Sequence, residues 1–402
     1  MSSSADYFAA LNTLLREIGS GMPRLVIDLD RLDHNVERLL DLHAPEDVRL
    51  VAKSLPAPEL LNYLFRKIGY ERLMVFHLPF LLQVVERFPA CDILMGKPLP
   101  VDAMRRFYRG RPVNAFDDTQ QLQWLADTEE RLVQIVDLSR EVGRRIGVSI
   151  ELDVGMHRGG VRSKDELGVL LDMIRGYHDE LRLHGFMGYD AHVPGAPWPR
   201  TVRGASRRVK KRYAKLLEFA FAGWSDLEEG DWCVNGAGSK TIALHHEESP
   251  LNDYSVGSAL VKPADFDVPT LADFVPAAWI ATPVLKRSVG VRVPFVEKLP
   301  SRGRDTLFVY GGKWMARPCH PAGLQENAAY GTSSNQQMFA VPRATEVVVD
   351  DYVFLRPTQS EAVLLQFGDL CIVRGARHIG NWPVFRNSGF PAGRMVEPAG
   401  AA

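Results

Sequence analysis

The chain has 402 residues, 46% hydrophobic and 24% charged, with a formal net charge of −1. That balance is the profile of a soluble globular protein and offers no global field to attract nucleic acid or an anionic membrane. Its four cysteines (Cys91, Cys233, Cys319 and Cys371) are widely spaced with no CxxC pair, which argues against a disulfide scaffold and a structural zinc site.

Residues 1–22 form an N-terminal extension without the basic start and apolar core of a leader. No run of 18 apolar residues follows, so the expected location is the cytoplasm. From residue 23 short apolar strands alternate with segments of helical period. The predicted strands are Leu25–Asp30, Val48–Leu55, Arg72–Leu78, Asp92–Gly96, Val113–Asp118, Val148–Gly155, Leu181–Tyr189, Trp232–Gly236 and Tyr254–Val261. Between them Arg31–Leu42, Ala57–Ile68, Pro79–Phe88, Thr119–Val142, Lys164–His178 and Arg207–Trp224 carry helical periodicity. Repeated βα units of this kind predict an α/β fold, a (β/α)8 barrel over residues 23–270. Nine strand candidates for eight places leave one to the barrel rim or to a second domain.

Beyond about residue 270 the texture changes. Val284–Val291, Thr306–Tyr310, Thr345–Phe354 and Leu370–Val373 read as strands between turns, predicting a C-terminal antiparallel β domain over 271–390. The Pro, Gly and Ala-rich end, Phe390–Ala402, reads as a frayed tail, taken as flexible over 391–402. Arg200, Arg203, Arg207, Arg208, Lys210, Lys211, Arg212 and Lys215 make one strongly basic segment, read as the solvated face of an outer helix.

Chemistry-bearing residues fall at the C-terminal ends of the predicted strands, where barrels carry their functional groups. Lys53, in Val51-Ala52-Lys53-Ser54, ends an apolar strand. Desolvation there would leave its amine neutral and able to attack an aldehyde. Asn235-Gly236-Ala237-Gly238-Ser239 is a glycine-rich turn whose backbone N–H groups could cradle an anion, with a following helix N-terminus adding a favourable dipole. Arg158, in Asp153-Val154-Gly155-Met156-His157-Arg158-Gly159-Gly160, could offer a fixed cation, or form a surface ion pair with Asp153 or Glu151. Tyr189 and His192 could supply ring stacking and a proton relay. Together these groups suit pyridoxal phosphate: the aldehyde on Lys53, the phosphate at Gly236–Ser239, the ring near Arg158 and Tyr189–His192.

On these motifs, with the start Met22-Pro23-Arg24-Leu25-Val26-Ile27-Asp28-Leu29-Asp30 and Asn35, the chain resembles the fold-type III pyridoxal phosphate enzymes, the alanine racemase-like barrels. Within them it most resembles the D-threonine aldolase / D-serine dehydratase branch, through Tyr189-Asp190-Ala191-His192, Gly236–Ser239, Val256-Gly257-Ser258 and Trp382-Pro383-Val384. The resemblance implies a head-to-tail homodimer, a small amino-acid substrate, and a Schiff base on Lys53, which also acts as a base. It also implies a divalent metal on a histidine-containing pair after a proline. Here Pro357-Thr358-Gln359-Ser360-Glu361 stands in that place, and the neutral amide of Gln359 is a poor ligand, so no zinc site of the usual kind is expected. Glu361 could hold a harder ion weakly, leaving both residues as weak metal candidates.

In the predicted β domain Cys319 and His320 lie between Pro318 and Pro321, and either could serve as a second acid/base across a dimer interface. The expected function is a lyase cleaving or dehydrating a β-hydroxy D-amino acid. The alternatives are an amino-acid racemase and a non-catalytic cofactor carrier.

Overall fold

The computed structural model describes residues 4–227, 229–246, 248–290, 303–327, 331–375 and 377–386. The first strand, β1 (Arg24–Asp28), stands outside the barrel. The eight that follow close it in parallel: β2 (Val48–Val51), β3 (Arg72–Val75), β4 (Asp92–Met95), β5 (Leu122–Ala126), β6 (Ile146–Glu151), β7 (Leu181–Gly188), β8 (Cys233–Gly236) and β9 (Asp253–Val256). Register between β9 and β2, Tyr254 opposite Val48, completes the ring. Helices on the outside bury one apolar face against these strands, as in Leu60, Leu61, Leu64 and Phe65 of Pro58–Ile68. Local signals set their ends. Thr128 and Ser163 cap helix starts through their hydroxyls, while Gly69 and Gly143 end helices in the left-handed region.

The lower barrel interior is polar. Arg49, fully buried, donates to both oxygens of Asp253 at 2.7–3.0 Å and to Asp92 at 2.8 Å. Burial works against its charge, but these carboxylates keep the guanidinium protonated well above its ordinary range.

The remaining strands are β10 (Ala278–Ser288), β11 (Arg304–Tyr310), β12 (Ala316–His320), β13 (Gln325–Glu326), β14 (Gln336–Pro342), β15 (Tyr352–Pro357), β16 (Asp369–Arg374) and β17 (Arg377–Pro383). With β1 they make a nine-stranded sheet among the described residues. β1 pairs antiparallel with β10 and parallel with β16, Val26 opposite Cys371, so the ninth strand candidate belongs to the second sheet. The N-terminal extension forms a helix, Ser4–Ile18, that covers this sheet with Phe8, Leu11, Leu14 and Leu15. Tyr7 secures it by donating to Asp28 at 2.8 Å and accepting from Trp279 at 2.9 Å.

Three sequence expectations are corrected. The fourth barrel strand, β5, is Leu122–Ala126, inside the segment read as helix, and not Val113–Asp118. Val113 is fully exposed, and Asn114 ties its loop down by accepting from Phe116 N–H and donating to Val85 O. In the second sheet the strand expected at Thr345–Phe354 starts only at Tyr352, because turns occupy the preceding residues. The segment Tyr254–Val261 is a strand only to Val256 and continues as a helical turn, Ser258–Val261. The tail Phe390–Ala402 lies outside the described residues. Among the described residues no helix is long and apolar enough to cross a membrane.

Candidate active site

At the C-terminal mouth of the barrel a cavity of about 370 Å³ gathers most of the residues singled out in the sequence. Lys53 follows β2 directly, so its side chain rises from the strand end into this space. It is less dry than expected: 39% of the side chain is exposed, and Nζ lies 3.3 Å from Glu361 Oε1 and 4.4 Å from the Phe76 ring centroid. A carboxylate and an aromatic face hold the amine in place of a purely apolar pocket.

The turn after β8 is the second wall. Ala237 takes a positive φ of 62°, a conformation that L side chains resist. A Cβ added at Gly238 would sit 2.7 Å from Tyr189 Cε2, so only glycine allows that ring to lie against the backbone. Ser239 Oγ accepts from Gly257 N–H at 3.2 Å and Ala259 N–H at 3.0 Å, tying the turn to the segment after β9. Among the described residues the N–H groups of Gly238 and Ser239 donate to no protein acceptor. The element that follows is a 3-10 turn, Ile242–His245, so the helix dipole expected there is missing. Gly236 does not line the cavity; it packs under Leu251. Asn235 reaches the cavity floor, but its amide is committed to Asp253 at 2.5 Å and Ser255 at 2.9 Å.

Arg158 and Tyr189 form the third wall, the guanidinium carbon 5.1 Å from the ring centroid. Burial pushes the Tyr189 phenol up, and Arg158 partly offsets it. The loop carrying Arg158 is shaped by Asp153, which accepts from Gly155 N–H (2.9 Å), His157 N–H (3.0 Å) and His157 Nδ1 (2.7 Å). Burial opposes ionisation of Asp153, yet these donors hold it below the usual carboxylate range. Glu151, at the end of β6, is pushed up to about 7 by burial and by Asp127, with Arg158 acting in the other direction.

Three candidates lie away from the cavity. His192 is half-buried behind Gly155, with Nδ1 buried and unpartnered. His320 stacks on Phe8 at 4.8 Å, and burial lowers its pKa. Cys319 is exposed in β12. None of the three lines the cavity within its own chain.

The second sheet does reach the site. The segment after β15 lays Gln359 and Glu361 over the barrel mouth, and both line the cavity. Sequence reasoning offered Glu361 only as a weak metal candidate, and nothing local to it signals its ion pair with Lys53. It also missed Thr241 and His245, which grip Asp190 at 2.6 and 2.9 Å beneath the glycine turn.

Comparisons with known proteins bear on the fold and the family. No curated protein matches the sequence. Among solved structures, D-threonine aldolase from Filomicrobium marinum is similar, with a TM-score of 0.73 and 18% identity, covering 90% of this chain and 97% of that one. D-threo-3-hydroxyaspartate dehydratase from Delftia sp. HT23 gives 0.67 and 18%, covering 90% and 97%. Alanine racemase from Bacillus anthracis gives 0.66 and 14%, again covering 90% and 97%. At these identities the likeness is one of fold. Residues 27–264, more than half of the chain, match the N-terminal domain of alanine racemase, and with the closed barrel and its rim lysine this places the chain in that family of fold-type III pyridoxal phosphate enzymes.

Proposed function

We propose that the protein is a pyridoxal phosphate-dependent lyase that cleaves or dehydrates a β-hydroxy D-amino acid, with Lys53 as the covalent anchor of the cofactor. The observation carrying this reading is the convergence of the Lys53 amine, the 237–239 turn and the Arg158–Tyr189 pair on one cavity. These residues fit the cofactor. Gly238 and Ser239 supply uncommitted N–H donors for a phosphate, Tyr189 supplies a ring face, and Arg158 supplies a cation for the phenolate or a substrate carboxylate. When bound, pyridoxal phosphate supplies an electron sink for negative charge developing at the substrate Cα.

The chain's own residues do the rest. Lys53, which would hold the cofactor, would also hold or return a proton at the substrate Cα. Met74 and Phe76 line one side of the cavity and keep water from the reacting atoms. The aldolase and dehydratase among the structural neighbours support a β-hydroxy D-amino acid as the substrate class. The neutral Gln359 in the wall leaves the reading without a metal step. The assembly proposed with it is a cytoplasmic head-to-tail homodimer.

Racemisation is the second reading, favoured by that same amide in place of a strong ligand. It would need a second base on the opposite substrate face, with Cys319 or His320 of a neighbouring copy as the candidate. A carrier role is disfavoured because Gln359 and Glu361 from the second sheet complete the cavity.

The test is to purify the protein with cofactor present and record its visible spectrum, then screen D- and L-threonine and serine for spectral shift, aldehyde and ammonia, with and without chelator. A lysine-bound band lost in Lys53→Ala, with aldehyde or ammonia from a D-substrate, is the expected result. A colourless wild-type protein sinks the proposal, and Cα deuterium exchange without either product shifts it to racemisation.

A further inference from the structure

We propose that Glu361 is the catalytic base for the substrate's β-hydroxyl, which narrows the reaction to aldol-type cleavage of a β-hydroxy amino acid with an uncharged side chain. The inference rests on the reading of the site as a lyase cavity anchored by Lys53.

The geometry is specific. Glu361 lines the cavity with its side chain 37% exposed, and its Oε1 meets Lys53 Nζ at 3.3 Å and Ser54 Oγ at 3.1 Å. Ser54 accepts in turn from Ser258 Oγ at 3.2 Å, and Ser258 lies 2.8 Å from Ser360 Oγ. Each hydroxyl has a single proton. Ser54 gives its proton to Glu361 and Ser258 gives its own to Ser54, so Ser360 must donate to Ser258. The three serines, all buried, form a relay in which every proton points towards the carboxylate. Such a chain fixes the orientation of the Glu361 carboxylate. It also leaves Oε2 to accept from a ligand in the cavity.

The step balances within this set. The hydroxyl O–H bond breaks and its proton passes to Glu361. The oxygen's pair becomes the second bond of a carbonyl, the Cα–Cβ bond breaks, and its electron pair remains at Cα. Glu361 passes the proton to the neighbouring Lys53 nitrogen, which delivers it to Cα. The products are an aldehyde and glycine. A substrate with a side-chain carboxylate would place like charge against Glu361 and is rejected.

The test uses the holoprotein as wild type, Glu361→Gln and Glu361→Asp, each checked for its lysine-bound band as a sign of an intact fold. Aldehyde release is measured from D-threonine, D-allo-threonine and D-threo-3-hydroxyaspartate. Cα deuterium exchange is measured on D-alanine, and affinities for D-threonine and D-alanine by absorbance titration.

In Glu361→Gln, aldehyde release is expected to fall at least about 100-fold, while D-alanine exchange falls by less than about tenfold. The dissociation constant for D-threonine should rise about 3- to 10-fold relative to that for D-alanine, the loss of one hydrogen bond. Glu361→Asp should recover part of the cleavage, and the hydroxyaspartate should remain unprocessed. Unchanged cleavage in Glu361→Gln overturns the proposal. So does an equal fall in cleavage and exchange, which would mean that the carboxylate serves Lys53 alone. A wild type that exchanges D-alanine but releases aldehyde from neither threonine overturns it and leaves the cofactor reading standing; a wild type with no band overturns the reading beneath it.

Discussion

His245 donates from Nε2 to Asp190 Oδ2 over 2.9 Å, with both side chains almost wholly buried. A carboxylate can only accept, so the proton sits on Nε2, and Nδ1 faces Ser249 Oγ at 3.1 Å. The other oxygen of Asp190 takes the Thr241 hydroxyl at 2.6 Å. Asp190 follows Tyr189 and Thr241 follows the glycine turn, so this buried triad clamps two walls of the cavity together.

Asp190→Ala should therefore cost about 3 kcal/mol, because it leaves the buried His245 Nε2–H without its acceptor and the Thr241 hydroxyl with only the Gly238 carbonyl at 3.3 Å. Urea unfolding would read the loss, and cofactor retention should weaken in the same variant. Asp190→Asn, which keeps one acceptor, should cost less.

Glu151 gives a pH dependence of definite sign. Its carboxyl titrates near 7 in the folded chain, against 4.5 as the ordinary value. Between those values the folded state holds a proton that the unfolded state has lost. The stability this group contributes is full below about pH 4.5 and is lost as pH rises through 7. Glu151→Gln should gain on wild type by roughly 1–2 kcal/mol between pH 5 and pH 8, discounted for partial exposure. Paired urea melts at those two pH values would show it; a gap that shrinks with rising pH refutes the assignment.

Arg49→Ala should be the most damaging change in the barrel. It takes the cation from Asp92 and leaves the buried Asp253 with only the longer ion pair to Arg72 at 3.5 Å, at a cost of about 3–5 kcal/mol. A cycle with Asp253→Ala, measured by denaturant unfolding, should give strong coupling, with the double variant losing far less than the sum of the two.

Phe8→Ala tests the N-terminal helix. Phe8 meets His320, Trp279 and Phe354 with ring centroids 4.8–5.2 Å apart. Its truncation should cost about 3 kcal/mol. The visible band of the loaded protein should persist, since these contacts belong to the second sheet.

Cys319→Ala separates the two enzyme readings. The thiol is exposed and does not line the barrel-mouth cavity of its own chain, so lyase turnover should stay within about twofold of wild type, as for other surface changes. Racemisation through a neighbouring copy's thiol predicts loss of exchange with one enantiomer.

Much of the site was legible because its signals are local. A lysine closing an apolar strand and a glycine-rich turn after another are readable wherever a βα repeat is. Contacts between distant segments were not. Glu361 meets Ser54 across 307 positions, and His245 meets Asp190 across 55, with no periodicity to announce either. The fifth strand was lost for a different reason: Leu122–Ala126 is apolar enough to merge with the helix after it. The hydroxyl of Thr128, which caps that helix at Arg131 N–H, was the local mark of the boundary.

The position of β1 between β10 and β16 bears on how the polypeptide is made. Synthesised before the barrel, β1 waits unpaired while the entire barrel is made. Its second neighbour arrives only with residues 369–374, after β10 to β15. A fragment cut at the barrel boundary and starting near residue 271 would thus carry a gap in mid-sheet and two bare edges, and should aggregate unless a peptide spanning Arg24–Asp28 is supplied.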